Sequence, residues 1–212
     1  MLGDSMDQYN LDSRDADLKK LAQESLQNRD LFIKLKNGIR SREKIVRTNS
    51  LNVLMILSEN NGEFLYPDWE YFHEMLKSTN AYDQYVAIYL LASLTAVDKD
   101  KKFESIFDEY YGILKGDKTL TASHVVLNSA LIASNKPELR SRIIERLINT
   151  DNTFKGMQKD LIKVYAIETL RKIKVEGDEK STIQKFVKSQ LKNSSSRTRS
   201  AAKCYIDRCE LD

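Results

Sequence analysis

The sequence predicts an all-α chain built as a solenoid of about five stacked helix pairs. Three observations predict it. First, Val46-Arg47-x-x-Ser50-x-x-Val53-Leu54-x-x-Leu57 recurs as Asp83-Gln84-x-x-Ala87-x-x-Leu90-Leu91-x-x-Leu94 and again as Ile162-Lys163-x-x-Ala166-x-x-Thr169-Leu170-x-x-Ile173. A shortened copy is Thr198-Arg199-x-x-Ala202-x-x-Tyr205-Ile206, and a weaker one, Leu120-x-x-Ser123-x-x-Val126-Leu127-x-x-Ala130, fills the gap. The second positions, 47, 84, 120, 163 and 199, step by 37, 36, 43 and 36. Periods of this size mark units that bury their apolar faces only against their neighbours. Second, 212 residues hold two prolines and seven glycines, so long helices meet few breakers. Third, no stretch keeps the strict alternation of a strand.

The elements follow in order. Residues 1–12 are polar and read as a disordered tail, and residues 13–212 as one repeat domain. Residues 14–38 form one long or two broken helices, with Leu18, Leu21, Leu26, Leu31, Phe32 and Leu35 as core candidates. The repeats divide at about 28–62, 63–100, 101–136, 137–176 and 177–212, each an outer helix followed by a motif helix. In the second repeat Pro67 suits a first helical turn, and Asp68 and Glu70 suit the positive end of the dipole. Trp69, Phe72 and Leu76 then make an apolar stripe. Phe103, Ile106, Phe107, Tyr110 and Ile113 open the third repeat; Ile143, Ile144, Leu147 and Ile148 carry the fourth. Its loop, 149–154, is longer than the others and accounts for the 43-residue step. Ile183, Phe186, Val187 and Leu191 carry the fifth, and one of Ser194, Ser195 or Ser196 caps the last helix.

At these positions the chain resembles the HEAT/armadillo-like helical repeat superfamily, most closely at Val46-Arg47 and Ile162-Lys163. The resemblance covers residues 28 to 209 and implies a right-handed α-α superhelix with a concave binding surface. Its small residues, Ser50, Ala87, Ser123, Ala166 and Ala202, mark close helix approach. Gln84 and Leu120 replace the family's basic residue, and the usual turn aspartate is absent or displaced, which implies no regular hydrogen-bonded ladder between repeats.

Charge separates along the chain: +5 over residues 31–58, −7 over 59–111 and +9 over 139–208. Lys155, Lys159 and Lys163 share a helix face, and Arg199 and Lys203 flank the start of the last helix, making candidate phosphate contacts for nucleic acid. The plainer reading is solvated helix surface, since few aromatics interleave for base stacking. Tyr82, Tyr85 and Tyr89 share one face of a motif helix and are the candidate protein-binding residues, in a groove that the acidic stretch would rim. In the aromatic run 64–72, Trp69 and Phe72 are expected in the core, with Tyr66 and Tyr71 half exposed. A HEAT-like DNA glycosylase would place an aromatic and a carboxylate on the basic surface, a place Trp69 does not suit.

His73 and His124 have no metal-ligand spacing, and no phosphate loop or nucleophile elbow occurs. The expectation is a non-catalytic scaffold or adaptor without cofactors that binds another protein or peptide, with a nucleic-acid-associated module as the alternative. No apolar run is long enough for a membrane span. Cys204 and Cys209, five apart, are expected as free thiols, which suits a cytoplasmic chain. The polar last helix is a suitable cap, consistent with a monomer.

Overall fold

The computed structural model of the chain describes residues 9–209. Among them every regular element is helical. The stretch before the repeats is broken into α1 (Leu18–Ser25) and α2 (Arg29–Gly38). Asp17 caps the first by accepting from the Lys20 N–H, and Asn28 caps the second by accepting from the Leu31 N–H. Five motif helices follow: α3 (Lys44–Asn60), α6 (Ala81–Leu94), α8 (Thr119–Asn135), α11 (Lys159–Leu170) and α13 (Ser196–Cys209). Between them run α4 (Gly62–Leu65), α5 (Trp69–Leu76), α7 (Lys102–Gly112), α9 (Arg140–Ile148), α10 (Thr150–Thr153) and α12 (Gly177–Gln190).

The motif helices pack in series, α3 on α6, α6 on α8, α8 on α11 and α11 on α13. Polar contacts one period apart give their direction. The Tyr82 hydroxyl donates to the Arg47 carbonyl at 3.3 Å, and Lys118 Nζ donates to the Thr79 carbonyl at 2.9 Å, joining helix starts. Asn135 Nδ2 donates to Thr95 Oγ1 at 2.9 Å, joining helix ends. Start meets start and end meets end, so these neighbours run parallel. The joints differ chemically from unit to unit.

The small motif residues sit where helices approach closely. Ser50, Ala87, Ala166 and Ala202 are fully buried, and a Cβ on Gly38 would overlap Ser50 Oγ at 2.1 Å. In α8 the register departs by one residue from the sequence reading. Leu120 is 58% exposed, whereas Ala122, Val125, Val126 and Ser129 are buried. The aligned copy therefore starts at Thr119, with Ala122 fully buried at the small position and Ser123 buried beside it. The cause lies in α7, whose Tyr111 is buried and donates its hydroxyl to Ser129 Oγ at 3.0 Å. That bond needs Ser129 turned inward.

Other expectations shift in smaller ways. Leu11 is fully buried, and Asn49 Nδ2 donates to the carbonyls of Leu11 (2.9 Å) and Ser13 (2.7 Å), so residues 9–12 are packed rather than a tail. Residues 1–8 lie outside the described residues. The 149–154 loop contains α10, and Leu191 is exposed. Ser195 is the cap of α13, accepting from the Thr198 N–H at 3.3 Å. Cys204 is an exposed free thiol; the side chain of Cys209 lies outside the described residues.

One polar node joins two successive units. The Asp98 carboxylate, 0% exposed, accepts from the Tyr66 hydroxyl at 2.6 Å and from the N–H groups of Lys102 (2.9 Å) and Phe103 (3.0 Å). Lys136 Nζ lies 3.0 Å from the same carboxylate and donates to the Asp98 carbonyl at 2.8 Å. Burial works against the charge of Asp98. The Tyr66 hydroxyl, the two N–H groups and the Lys136 ammonium outweigh it and hold the carboxyl below the usual carboxylate range.

Two stability predictions follow from this packing. Asp98→Ala removes the nearer of the two carboxylates on the buried Lys136 ammonium and the acceptor of two N–H groups, and is expected to cost about 3–5 kcal/mol in urea unfolding; a loss under about 1 kcal/mol would mean the node is peripheral. Ala166→Leu is expected to cost roughly 1–3 kcal/mol by overpacking, and a neutral result would place α11 in a different register.

Candidate protein-docking face

α6 and α8 are apolar nearly all round, a pattern that ordinarily belongs to a helix buried on every side. In α6 the inner positions Val86, Ala87, Leu90, Leu91 and Leu94 are buried, which leaves Tyr82, Tyr85 and Tyr89 on the opposite stripe, half-buried. Their rings lie in a row, with centroids 6.0 Å apart from Tyr82 to Tyr85 and 5.1 Å from Tyr85 to Tyr89. The Arg47 guanidinium stands 4.9 Å over the Tyr82 ring. Burial raises the hydroxyl pKa of Tyr82 and of Tyr85, so both stay neutral.

The corrected register of α8 brings a second stripe beside the first. Leu120, His124, Leu127 and Leu131, spaced by four, three and four, share the solvent side of the helix. His124 joins the stripes, with ring centroids 4.6 Å from Tyr85 and 5.3 Å from Tyr89. Burial lowers its pKa, and its Nδ1 has no hydrogen-bond partner. Leu120 and Leu131 are 58% and 42% exposed. Nearby, Met157 is fully exposed on a loop whose Lys155 N–H donates to the Gly116 carbonyl at 2.9 Å. A Cβ on Gly156 would lie 2.5 Å from the Asp117 carbonyl oxygen, so glycine is what lets that loop sit against the approach to α8.

The acidic residues do not rim this face. Glu70, Glu74, Glu104, Asp108 and Glu109 lie on α5 and α7, among the outer helices, largely in ion pairs such as His73–Glu109 at 2.9 Å and Arg146–Asp108 at 2.7 Å. On α6 itself, Asp83 accepts from the Ser78 hydroxyl at 3.0 Å and pairs with Arg40 at 3.7 Å. Arg47 and Lys118, just before α8, place positive charge at the edge of the face, with the exposed Asp117 next to Lys118.

The five candidate nucleic-acid residues are used unequally. Lys163 is buried and paired with Asp151. The Arg199 guanidinium donates to the carbonyls of Asn193 (2.8 Å) and Ser194 (2.7 Å), closing the loop before α13. Lys155, Lys159 and Lys203 are exposed. In the aromatic run Trp69 and Phe72 are core, and Tyr66 and Tyr71 are half-buried. Among the described residues no three His, Cys, Asp or Glu side chains group as metal ligands, and no helix is long and apolar enough to cross a membrane.

The sequence reading found the tyrosine row and missed Leu120, His124, Leu127 and Leu131. Their spacing was a readable signal, obscured by a motif alignment one residue out of step. No family model matches the chain, and no curated protein matches it.

His124 gives this face a pH signature. A base whose pKa is lowered in the folded state resists a proton that the unfolded chain accepts, so stability falls as pH drops from the ordinary 6.5 toward the lowered value. Asp98 adds no pH dependence in that window, since its stabilisation is fully present above the ordinary 3.8 and is lost only below it. Urea unfolding at about pH 7.5 and 5.5 is expected to show a larger acid loss for the wild type than for His124→Gln. Equal losses would mean that His124 is protonated without penalty.

Proposed function

We propose that this chain is a non-catalytic scaffold or adaptor, a right-handed α-α superhelix of five HEAT-like helix pairs that binds another protein along its concave, motif-helix side. The observation that carries the reading is the double stripe of Tyr82, Tyr85 and Tyr89 with Leu120, His124, Leu127 and Leu131. Solvent-facing helix positions are normally polar, and a contiguous apolar patch on a repeat surface marks an interaction site. Tyrosine suits such a site because it supplies large, rigid contact area with a polar tip.

The segment that fits is short, with apolar anchors at helical or extended spacing and acidic flanks to meet Arg47 and Lys118. The basic partner that an acid-rimmed groove would favour is not supported, because the carboxylates lie on the outer helices. The nucleic-acid reading is weakened by Lys163 and Arg199, whose charges are engaged within the fold. The coverage of one end of the stack by residues 9–25 suits a monomer, and the exposed free thiol of Cys204 suits the reducing cytoplasm.

Selection of random peptides on the immobilised protein tests the reading. Enriched peptides are expected to carry spaced aliphatic or aromatic anchors beside Asp or Glu. They are expected to lose at least about tenfold in affinity against Tyr85→Ala/Leu131→Glu, a loss of roughly 1.4 kcal/mol. Peptides that bind this variant as tightly as the wild type would overturn it.

A further inference from the structure

A second feature lies away from the tyrosine face, where α9, α12, α13 and the segment between α11 and α12 meet. A cavity of about 670 Å³ opens there, lined by Arg140, Arg171, Lys174 and Lys180, with Ile173 and Tyr205 among its apolar walls. Glu176 is the one carboxylate in its lining. Arg171, Lys174 and Lys180 lie within one stretch, 171–180, and folding brings Arg140 of α9 to them. Arg140 is fixed by its Nε donating to Glu179 at 2.7 Å, which leaves the terminal nitrogens of its guanidinium available. Among the described residues Arg171 meets the Cys204 sulfur, at 3.7 Å, a weak acceptor for a full positive charge, and no carboxylate. Among the described residues Lys174 and Lys180 have no carboxylate partner.

The buried cations of this protein are paired with carboxylates, as is Arg140 of the cavity with Glu179. Lys136 has Asp98 and Glu104, Lys163 has Asp151, and Arg142 and Arg146 share Asp108. Glu179 offsets Arg140 and Glu176 lies in the lining, so the four cations keep an excess of two positive charges that an anion would neutralise. The volume is that of a small-molecule site, and the arginines can each present paired donors to a phosphate. A nucleic-acid track would instead spread its cations along a surface.

We propose that this cavity binds a compact polyphosphate anion, a soluble small molecule carrying two or more phosphate groups, held by Arg140, Arg171, Lys174 and Lys180. The site is separate from the protein-docking face and does not depend on it.

The test is calorimetric titration of the full chain with tripolyphosphate at about 150 mM salt, where exposed charges are largely screened. One-to-one saturable binding is expected. It should weaken at least about tenfold in Lys174→Glu/Lys180→Glu, with an unchanged thermal unfolding profile because both lysines are exposed. Lys174→Ala/Lys180→Ala serves if the reversed charges disturb folding. Absence of saturable binding at millimolar tripolyphosphate would overturn the proposal, as would equal affinity in both variants. A single-stranded oligonucleotide that binds through the same lysines and displaces tripolyphosphate at lower concentration would also overturn it, since the cavity would then be part of a nucleic-acid surface.

Discussion

The Asp98 carboxylate is the constraint on which the middle of the stack depends. The motif helices pack in series, so each is ordered largely through the helices beside it. Asp98 lies in the turn between α6 and α7, accepts from Tyr66 in the preceding outer segment, caps the start of α7 through two N–H groups, and holds Lys136 at the end of α8. Lys101, with φ of 57°, takes the left-handed turn that brings those N–H groups onto the carboxylate. Buried ions are tolerable only when such partners replace water. Here they fix the angle at which α7 enters and the distance to the next unit.

From that spacing the apolar face of α6 and α8 follows. α7 reaches the motif helices through its bulky aromatics: Tyr110 donates to the Ile88 carbonyl at 3.2 Å and Tyr111 to Ser129. The second bond sets the rotation of α8, and that rotation turns Leu120, His124, Leu127 and Leu131 outward beside the tyrosines of α6. The apolar face is thus tied to the packing behind it. Were α8 rotated by one residue, Leu120 would go inward and Ser129 would lose its partner.

Much of the fold was legible because a repeat states its packing code several times. Val46, Leu54, Ala87, Leu91, Ala166 and Leu170 are buried as the motif requires. The code was least legible in α8, where Ala122-Ser123 and Val125-Val126 give two small and two branched residues in succession, so either register satisfied the pattern. Only Tyr111, on another helix, decides between them. The basic residues were misjudged for a related reason. Spacing by four places Lys159 and Lys163 on one face, but the helical turn α10 brings Asp151 over Lys163 and takes it from the surface. The cavity was only partly legible: Arg171, Lys174 and Lys180 are neighbours in the sequence, but nothing local places Arg140 beside them.

The central claim is that a partner protein docks on the motif-helix side of α6 and α8 rather than on the outer helices. Site-specific photo-crosslinking in cell extract tests it most directly, with a photoreactive residue at Leu131 on one side and at Glu74, exposed on α5, on the other. The account predicts a discrete protein adduct from position 131 that Tyr85→Ala in the same chain removes, and no such adduct from position 74. Adducts from position 74 alone, or adducts from position 131 that persist with Tyr85→Ala, would contradict it.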